Sequence, residues 1–217
     1  MSTTNRRGLF LTFEGLDGSG KTTQMRLLAE RLRRLGETVV ETVEPGGTAI
    51  GSQIRRILLA PENGALDPVA EMLLYFAARA QNVAEVLRPA LERGEIVVSD
   101  RWTDSTWAYQ GFGRGLGSSI VQDLDEIACR GWKPDLTFLL EIDLETSLER
   151  ARARNAESAA ADTRMEDQDR GFFERVKEGY ETLAAALPER IAVVDGRGSV
   201  EEVAGRVWAA YEARRRR

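Results

Sequence analysis

Apolar, β-prone runs alternating with helical patterns along 217 residues predict an α/β fold, a parallel sheet with helices on both faces. Two further observations sharpen that expectation. The first run, residues 9–13, leads directly into Gly15-Leu16-Asp17-Gly18-Ser19-Gly20-Lys21-Thr22 and then a helical pattern. This is the pattern G-x-x-x-x-G-K-[ST] in its strand–turn–helix context. Charged residues also follow several apolar runs directly, at the carboxyl ends of the expected strands, where open α/β sheets bind ligands.

The elements are justified in chain order. After the glycine-rich loop, Met25, Leu27, Leu28, Leu32 and Leu35 recur at helical spacing, and Gly36 stops that helix. Residues 38–42 read as a second strand, followed by the breakers Glu44-Pro45-Gly46-Gly47-Thr48. A helix is expected over 49–59, stopped near Pro61. Asp67-Pro68 supplies an N-cap and a first-turn proline for a helix running to about residue 87, with Pro89 bending or restarting it before Gly94. Residues 96–99 read as a buried parallel strand ending in Asp100-Arg101. The glycine-rich stretch 110–117 reads as a loop. A helix over 118–130, a strand over 136–142 and a helix over 144–154 follow. Residues 155–162 are small and polar without periodicity, which reads as a flexible segment. A helix over 169–187, a last strand over 191–194 and a helix from about residue 199 complete the chain. With no internal repeat and no second core, one domain over 1–217 is expected, with a short mobile lid at about 152–168.

Composition removes several kinds of chemistry. The net charge of −5 gives no global basic character, so no nucleic-acid partner is expected. The arginine run 214–217 reads as the solvated end of the last helix. Cys129 is the one cysteine, so no internal disulfide can form and a reducing, cytoplasmic compartment is expected. No apolar run approaches ~20 residues and the first seven residues are polar, so neither a membrane span nor a signal peptide is expected. The chain has no histidine, which excludes a Ser-His-Asp triad and every mechanism needing a histidine base. Carboxylates, Lys, Arg and hydroxyls remain, an inventory that suits phosphoryl transfer with Mg²⁺.

The glycine-rich loop carries the strongest chemical signal. Gly15, Gly18 and Gly20 let the backbone turn tightly and aim its N–H groups inward, and the following helix offers its positive end to phosphate. Ser19 and Thr23 complete the expected nucleotide cradle. Lys21 can reach the β- and γ-phosphates, and the Thr22 hydroxyl can hold Mg²⁺. The expected fold is therefore a P-loop NTPase, three-layer α/β/α around a five-stranded parallel sheet. Asp17 points an acid at a phosphate site, which repels unless a metal or a sugar hydroxyl is its partner.

Four strand ends carry candidates: the P-loop, the Glu44-Pro45 loop, Asp100-Arg101 and Asp195-Gly196. Asp100 stands where a P-loop enzyme places an acid for Mg²⁺, and Arg101 can clamp a phosphate; the pair can also simply end a strand. Tyr75 and Arg79, four apart, share one helix face. They can stack on and hydrogen-bond a base, or pack as core, which is how Leu73, Leu74 and Phe76 read. Arg152, Arg154 and Arg164 bracket the polar segment. They either close over a triphosphate or, with Glu149 and Glu157 as partners, belong to a solvated helix.

In this order and spacing the motifs resemble the bacterial thymidylate kinases over about residues 9–209. The resemblance is carried by G-L-D-G-S-G-K-T-T, E-P-G-G-T, L-L-Y-F-A-A-R-A-Q, D-R-W-T-D-S-T-W-A-Y-Q-G and R-A-R-A-R. It implies phosphoryl transfer from Mg·ATP to dTMP, with Lys21 and Thr22 serving ATP and Mg²⁺. Asp17 and Asp100 then stand near the metal and the sugar or phosphate of dTMP. It implies Arg55 and Arg101 on the acceptor 5′-phosphate. Tyr75 falls where a phenylalanine usually stacks on thymine, with Phe76 adjacent, and Arg79 falls at the base edge. Pro45, Ser105 and Thr106 fall around the acceptor pocket. Tyr109 resembles the tyrosine under the deoxyribose that disfavours a 2′-hydroxyl, with Gln110 beside it. Arg154 and Arg164 resemble lid arginines, and an arginine-rich lid with no arginine in the P-loop is similar to the bacterial subgroup that takes its catalytic arginine from the lid. A homodimer is also implied. Two departures stand out: Val43 replaces an arginine often found before E-P-G-G-T, and Tyr75 adds a hydroxyl that needs a partner. The competing readings are a kinase for another acceptor, such as dUMP or a deoxynucleoside, and a nucleotide-driven switch. The chain shows no N-K-x-D motif and no D-x-x-G after a strand, which argues against the switch.

Overall fold

Five short strands form one parallel sheet: β1 (Phe10–Glu14), β2 (Val39–Val43), β3 (Ile96–Asp100), β4 (Leu136–Glu141) and β5 (Ile191–Asp195). Their order is β2-β3-β1-β4-β5. The structure, a computed structural model, describes residues 7–157, 164–165 and 168–215, and for 154–157 it describes the backbone alone. Every residue of β1 and β3 is buried, as expected of parallel strands covered on both faces, whereas β2 and β5 at the edges carry partly exposed positions. The register sets Phe13 and Val43 both opposite Asp100. The ends of β1, β2 and β3 therefore lie side by side, and their following loops open onto one edge of the sheet.

Alternation along β1 divides the core. Leu11 and Phe13 face α1 (Lys21–Arg34) and α9 (Val200–Arg215), packing with Leu28, Leu32, Val203 and Val207. Phe13 stacks on Phe138 of β4 with ring centroids 4.8 Å apart. Phe10 faces the other side, against Val97 and Trp102. That side is covered by α3 (Pro68–Asn82), α4 (Arg88–Glu92) and α8 (Arg170–Ala186). Three helices begin on the side chains their sequences offer. Thr48 accepts from the Gly51 N–H at 2.9 Å to start α2 (Ala49–Leu59). Asp67 accepts from Val69 and Ala70 to start α3, and Asp169 accepts from Phe172 to start α8. The chain also contains α6 (Ser118–Cys129) and α7 (Leu144–Glu157).

The long helix restarts beside Pro89, one of the two outcomes expected. It widens into a π-helical turn over Val83–Leu87 and continues as α4, which accommodates the missing proline N–H and its ring. Residues 110–113, expected in a loop, are helical: α5 (Thr103–Thr106) runs on into a π-helical segment, Trp107–Gly113. The reason is tertiary, because α8 packs on this segment. An added Cβ at Gly113 would lie 2.7 Å from the Phe172 ring, so the glycine serves close packing rather than a turn. Leu73, expected in the core, is half exposed on the outer face of α3, while Phe76 is buried. Of the polar stretch expected to be flexible, residues 155–157 extend α7 and residues 158–162 lie outside the described residues. The expected lid is likewise described only in part. Among the described residues no helix is long and apolar enough to cross a membrane.

Phe138 is fully buried and stacked on Phe13 at the centre of the sheet. Phe138→Ala is expected to lower the unfolding free energy by about 3–5 kcal/mol. In urea titration this reads as a lower midpoint at unchanged slope.

Candidate active site

The site grows from the turn after β1. Gly15 has φ +132°, and a Cβ there would lie 2.4 Å from the Leu140 carbonyl oxygen, so only glycine fits between β1 and β4. The loop then curls over the start of α1. Lys21 Nζ donates to the Leu16 carbonyl at 2.7 Å, and Ser147 of α7 donates to the Asp17 carbonyl at 2.5 Å. Burial, together with the nearby Arg101, lowers the Lys21 pKa to about 8 against the opposing pull of Asp17, Asp100 and Glu14. The Thr22 hydroxyl donates to the Asp100 carboxylate at the end of β3, so two hard oxygen donors stand together beside the loop.

A cavity of about 590 Å³ opens here, a size that suits small-molecule ligands. The loop contributes Asp17, Gly18, Gly20, Lys21, Thr22 and Thr23. Pro45 and Arg55 come from the segment after β2, and Tyr75 and Arg79 from α3. Asp100, Arg101, Ser105, Thr106, Tyr109 and Gln110 come from the end of β3 onward. Three strand ends thus meet in one cavity. The fourth does not: Asp195 is bound to Arg197, which holds its carboxyl down to about 2. Gly15 and Ser19 do not line the cavity, and Phe76 packs in the core with Met72, Val121 and Ala128. Of the two adjacent rings, Tyr75 is the one that faces the cavity.

Arg101 is the best-anchored group in the site. Its backbone sits at φ +71°, a conformation that side-chain-bearing residues rarely adopt. Nη1 donates to Ser105 Oγ at 2.8 Å and to the Tyr180 hydroxyl at 3.1 Å. Nη2 donates to Asp17 Oδ1 at 2.8 Å and to the Tyr109 hydroxyl at 3.3 Å, and that hydroxyl donates to Asp17 Oδ2 at 3.1 Å. Arg55 donates to the Pro45 carbonyl at 3.0 Å.

Arg79 is 1% exposed. Its Nη2 donates to Thr106 Oγ1 at 3.1 Å, and its Nε lies 3.7 Å from Glu44 Oε2, while Nη1 has no hydrogen-bond partner among the described residues. A buried guanidinium with an unpaired donor is rare in a folded protein, which singles this one out beside the cavity. Glu44 is itself buried and accepts from Asn82 at 2.6 Å. Burial pushes its carboxyl up to about 7, against the opposing effects of Arg79 and Asn82.

The arginines near the expected lid separate. Arg164 is 4% exposed, pairs with Glu71 at 2.7 Å and does not line the cavity, although its neighbour Met165 does. Arg114 and Gln110 also bind Glu71. Burial pushes the Glu71 carboxyl up, and these hydrogen bonds more than reverse the effect, leaving it below the usual carboxylate range. The Arg154 side chain lies outside the described residues. Arg150, which sequence reasoning passed over, lines the cavity from α7 against Gly18. It precedes Arg154 by four residues in sequence, and that spacing was the available signal. Glu14, Glu71 and Tyr180 were also missed as site groups, because burial rather than local pattern gives them their partners.

A family model described as thymidylate kinase matches residues 13–207. The chain belongs to the thymidylate kinase family. It is 52% identical over 200 residues to the thymidylate kinase of Syntrophotalea carbinolica, covering 92% of this chain and 93% of that relative. Against the thymidylate kinase of a Geobacter species it is 53% identical over 196 residues, covering 90% and 87%. The crystal structure of thymidylate kinase from Ehrlichia chaffeensis superposes with a TM-score of 0.76 at 31% identity, covering 94% of this chain and 99% of that one. The sequence-based resemblance and the α/β expectation are thus both met.

The buried acids of this family member shape its response to pH. Folded Glu44 holds its proton up to about pH 7, against a usual 4.5, and Glu14 behaves the same way for the same main reason, burial. The folded state therefore binds more protons than the unfolded state between these values, and stability falls as pH rises from about 4.5 to 7. Thermal melts are expected to give a higher Tm at pH 5 than at pH 7.5. Glu44→Gln is expected to remove part of that slope, on the order of 3 kcal/mol.

Proposed function

We propose that this cavity transfers the γ-phosphoryl group of Mg·ATP to the 5′-phosphate of dTMP, giving ADP and dTDP. Membership of the thymidylate kinase family supports the reaction. The observation that carries the assignment of roles is the sharing of one cavity by the P-loop lysine, an anchored arginine and an aromatic–arginine pair. At the donor end, loop N–H groups and Lys21 bind the ATP phosphates. Arg150 is assigned the neutralisation of charge that develops there, in place of Arg164, whose charge is committed to Glu71. Thr22 and Asp100 fit Mg²⁺, which favours hard oxygen donors and few protein ligands beside phosphates. Among the described residues no cluster of three or more acidic, cysteine or histidine side chains offers a larger metal cage. When bound, Mg²⁺ would supply charge neutralisation on the donor phosphates.

At the acceptor end, Arg101 and Arg55 hold the acceptor phosphate. Tyr75 stacks on the base, and the unused Nη1 of Arg79 donates to its edge. Tyr109 packs under the sugar, and Asp17, already tied to Arg101 and Tyr109, accepts from a sugar hydroxyl. The attacking phosphate oxygen is already anionic, so no general base is needed, in keeping with a chain that lacks histidine. The residues' work is to bring two anions in line and cancel their repulsion.

A coupled ADP-release assay tests this. Release is expected to require dTMP and to fail without an acceptor. Lys21→Ala should abolish it, and Arg101→Ala should raise KM for dTMP by about tenfold or more while moving KM for ATP little. Release that ignores the acceptor would overturn the reading in favour of a nucleotide-driven switch.

The chain is further proposed to work as a homodimer, in a reducing cytoplasm that suits its buried thiol, Cys129. Ile50 and Ile57 on α2 and Leu73 on α3 are half exposed on two helices that pack together, which supports an apolar contact there. Leu73→Glu is expected to convert a dimer to a monomer in sedimentation equilibrium. A wild-type monomer would end the proposal.

A further inference from the structure

Glu14 closes β1 as a fully buried acid, and its two oxygens reach both the backbone and the side-chain shell of Arg101. Oε1 accepts the Trp102 N–H at 2.7 Å, directly after the residue held at φ +71°. Oε2 accepts from Ser105 Oγ at 2.5 Å and from the Tyr180 hydroxyl at 3.0 Å. Those same two hydroxyl oxygens receive Arg101 Nη1 at 2.8 and 3.1 Å, and they lie 2.9 Å from each other.

Hydrogen counting makes this arrangement directional. A hydroxyl has one hydrogen to give, and a guanidinium nitrogen only donates. Hydrogens committed to Glu14 leave lone pairs facing Arg101. A hydrogen turned toward Arg101 instead would set donor against donor and release the guanidinium from that side.

We propose that Glu14 is a positioning residue for the acceptor phosphate: as a carboxylate it orients the Ser105 and Tyr180 hydroxyls and the backbone after Arg101, so that the guanidinium is held ready for that anion. The inference rests on the reading of Arg101 as the acceptor-phosphate clamp. Glu14 acts through Arg101 and does not touch substrate. Protonated Glu14 would donate to one hydroxyl, whose own hydrogen is then no longer held by the carboxylate and is free to turn toward Nη1.

The groups acting on Glu14 put this change near neutrality. Arg101 after β3, Lys21 of α1 and Arg190 at the start of β5 favour its charge, while Asp104 of α5 opposes it and Tyr180 faces it from α8. Asp104 is partly neutralised by Arg190, which donates to it at 2.7 and 2.8 Å. Burial outweighs the favourable partners and pushes the carboxyl up to about 7.

The test compares wild type, Glu14→Gln, Tyr180→Phe, the double variant and Arg101→Ala by steady-state kinetics between about pH 6 and 8.5. At pH 8 Glu14→Gln is expected to lower kcat/KM for dTMP about tenfold while KM for ATP stays within about twofold. Tyr180→Phe should show the same dTMP-selective loss, and the double variant should lose little more than either single one. The ratio of wild type to Glu14→Gln cancels the ionisation of dTMP itself. It is expected to rise from near one at pH 6 to its full value at pH 8.5. A ratio flat with pH, equal weakening of both substrates, or additive losses would overturn the positioning role. If Arg101→Ala leaves dTMP unaffected, the clamp reading itself fails. If Arg101→Ala weakens dTMP and Glu14→Gln does not, the inference about Glu14 alone is wrong.

Discussion

The guanidinium of Arg101 joins most of the elements around the cavity. It follows β3 directly, binds Asp17 in the loop after β1, and meets Ser105, Tyr109 and Tyr180 from α5, the π-helical segment and α8. A group gathering hydrogen bonds from four parts of the chain can hold a left-handed backbone that would otherwise relax. The rigidity suits the proposed role of Arg101. Phosphoryl transfer between two anions depends on cations already in place, since any that must move during reaction give back part of their electrostatic benefit.

Several other buried charges are paired in the same spirit. Glu44 faces Arg79, Glu71 takes Arg114 and Arg164, and Asp104 takes Arg190. Buried ion pairs contribute little net stability, because desolvation offsets much of their attraction, but breaking one leaves an uncompensated charge. Such pairs therefore lock geometry. The Glu44–Arg79 pair differs from the others: at 3.7 Å it stops short of a hydrogen bond, which leaves the arginine spare donor capacity beside the cavity. The Glu71 cluster ties Arg164 and the π-helical segment to α3 and engages that arginine's charge.

Legibility in the sequence followed the range of the interactions involved. The P-loop, the cap at Asp67 and the five strands are written in neighbouring residues, and each was found there within a residue or two, whereas the caps at Thr48 and Asp169 emerged only in the structure. Tyr75 and Arg79 could be placed on one face by helical spacing, but whether that face met core or cavity depended on what packed opposite. Residues 110–113 looked like a loop because glycine is a poor helix former. The packing of α8, with Phe172 against Gly113, decided otherwise. Arg150 and Arg164 differ little as sequence, and only their surroundings separate a cavity group from a buried counter-ion.

By itself, then, the sequence determined the parallel α/β architecture, the phosphate-binding loop, the set of chemically able side chains and the family, because these rest on local backbone preferences and on motifs read within a few residues. Tertiary structure alone decided which strand ends share a cavity, which arginines reach it, and that Glu14 lies at the foot of Arg101. Those outcomes depend on burial and on partners far away in the chain, such as Tyr180 beside Glu14, and burial sets both the charge of a carboxyl and the direction of its hydrogen bonds.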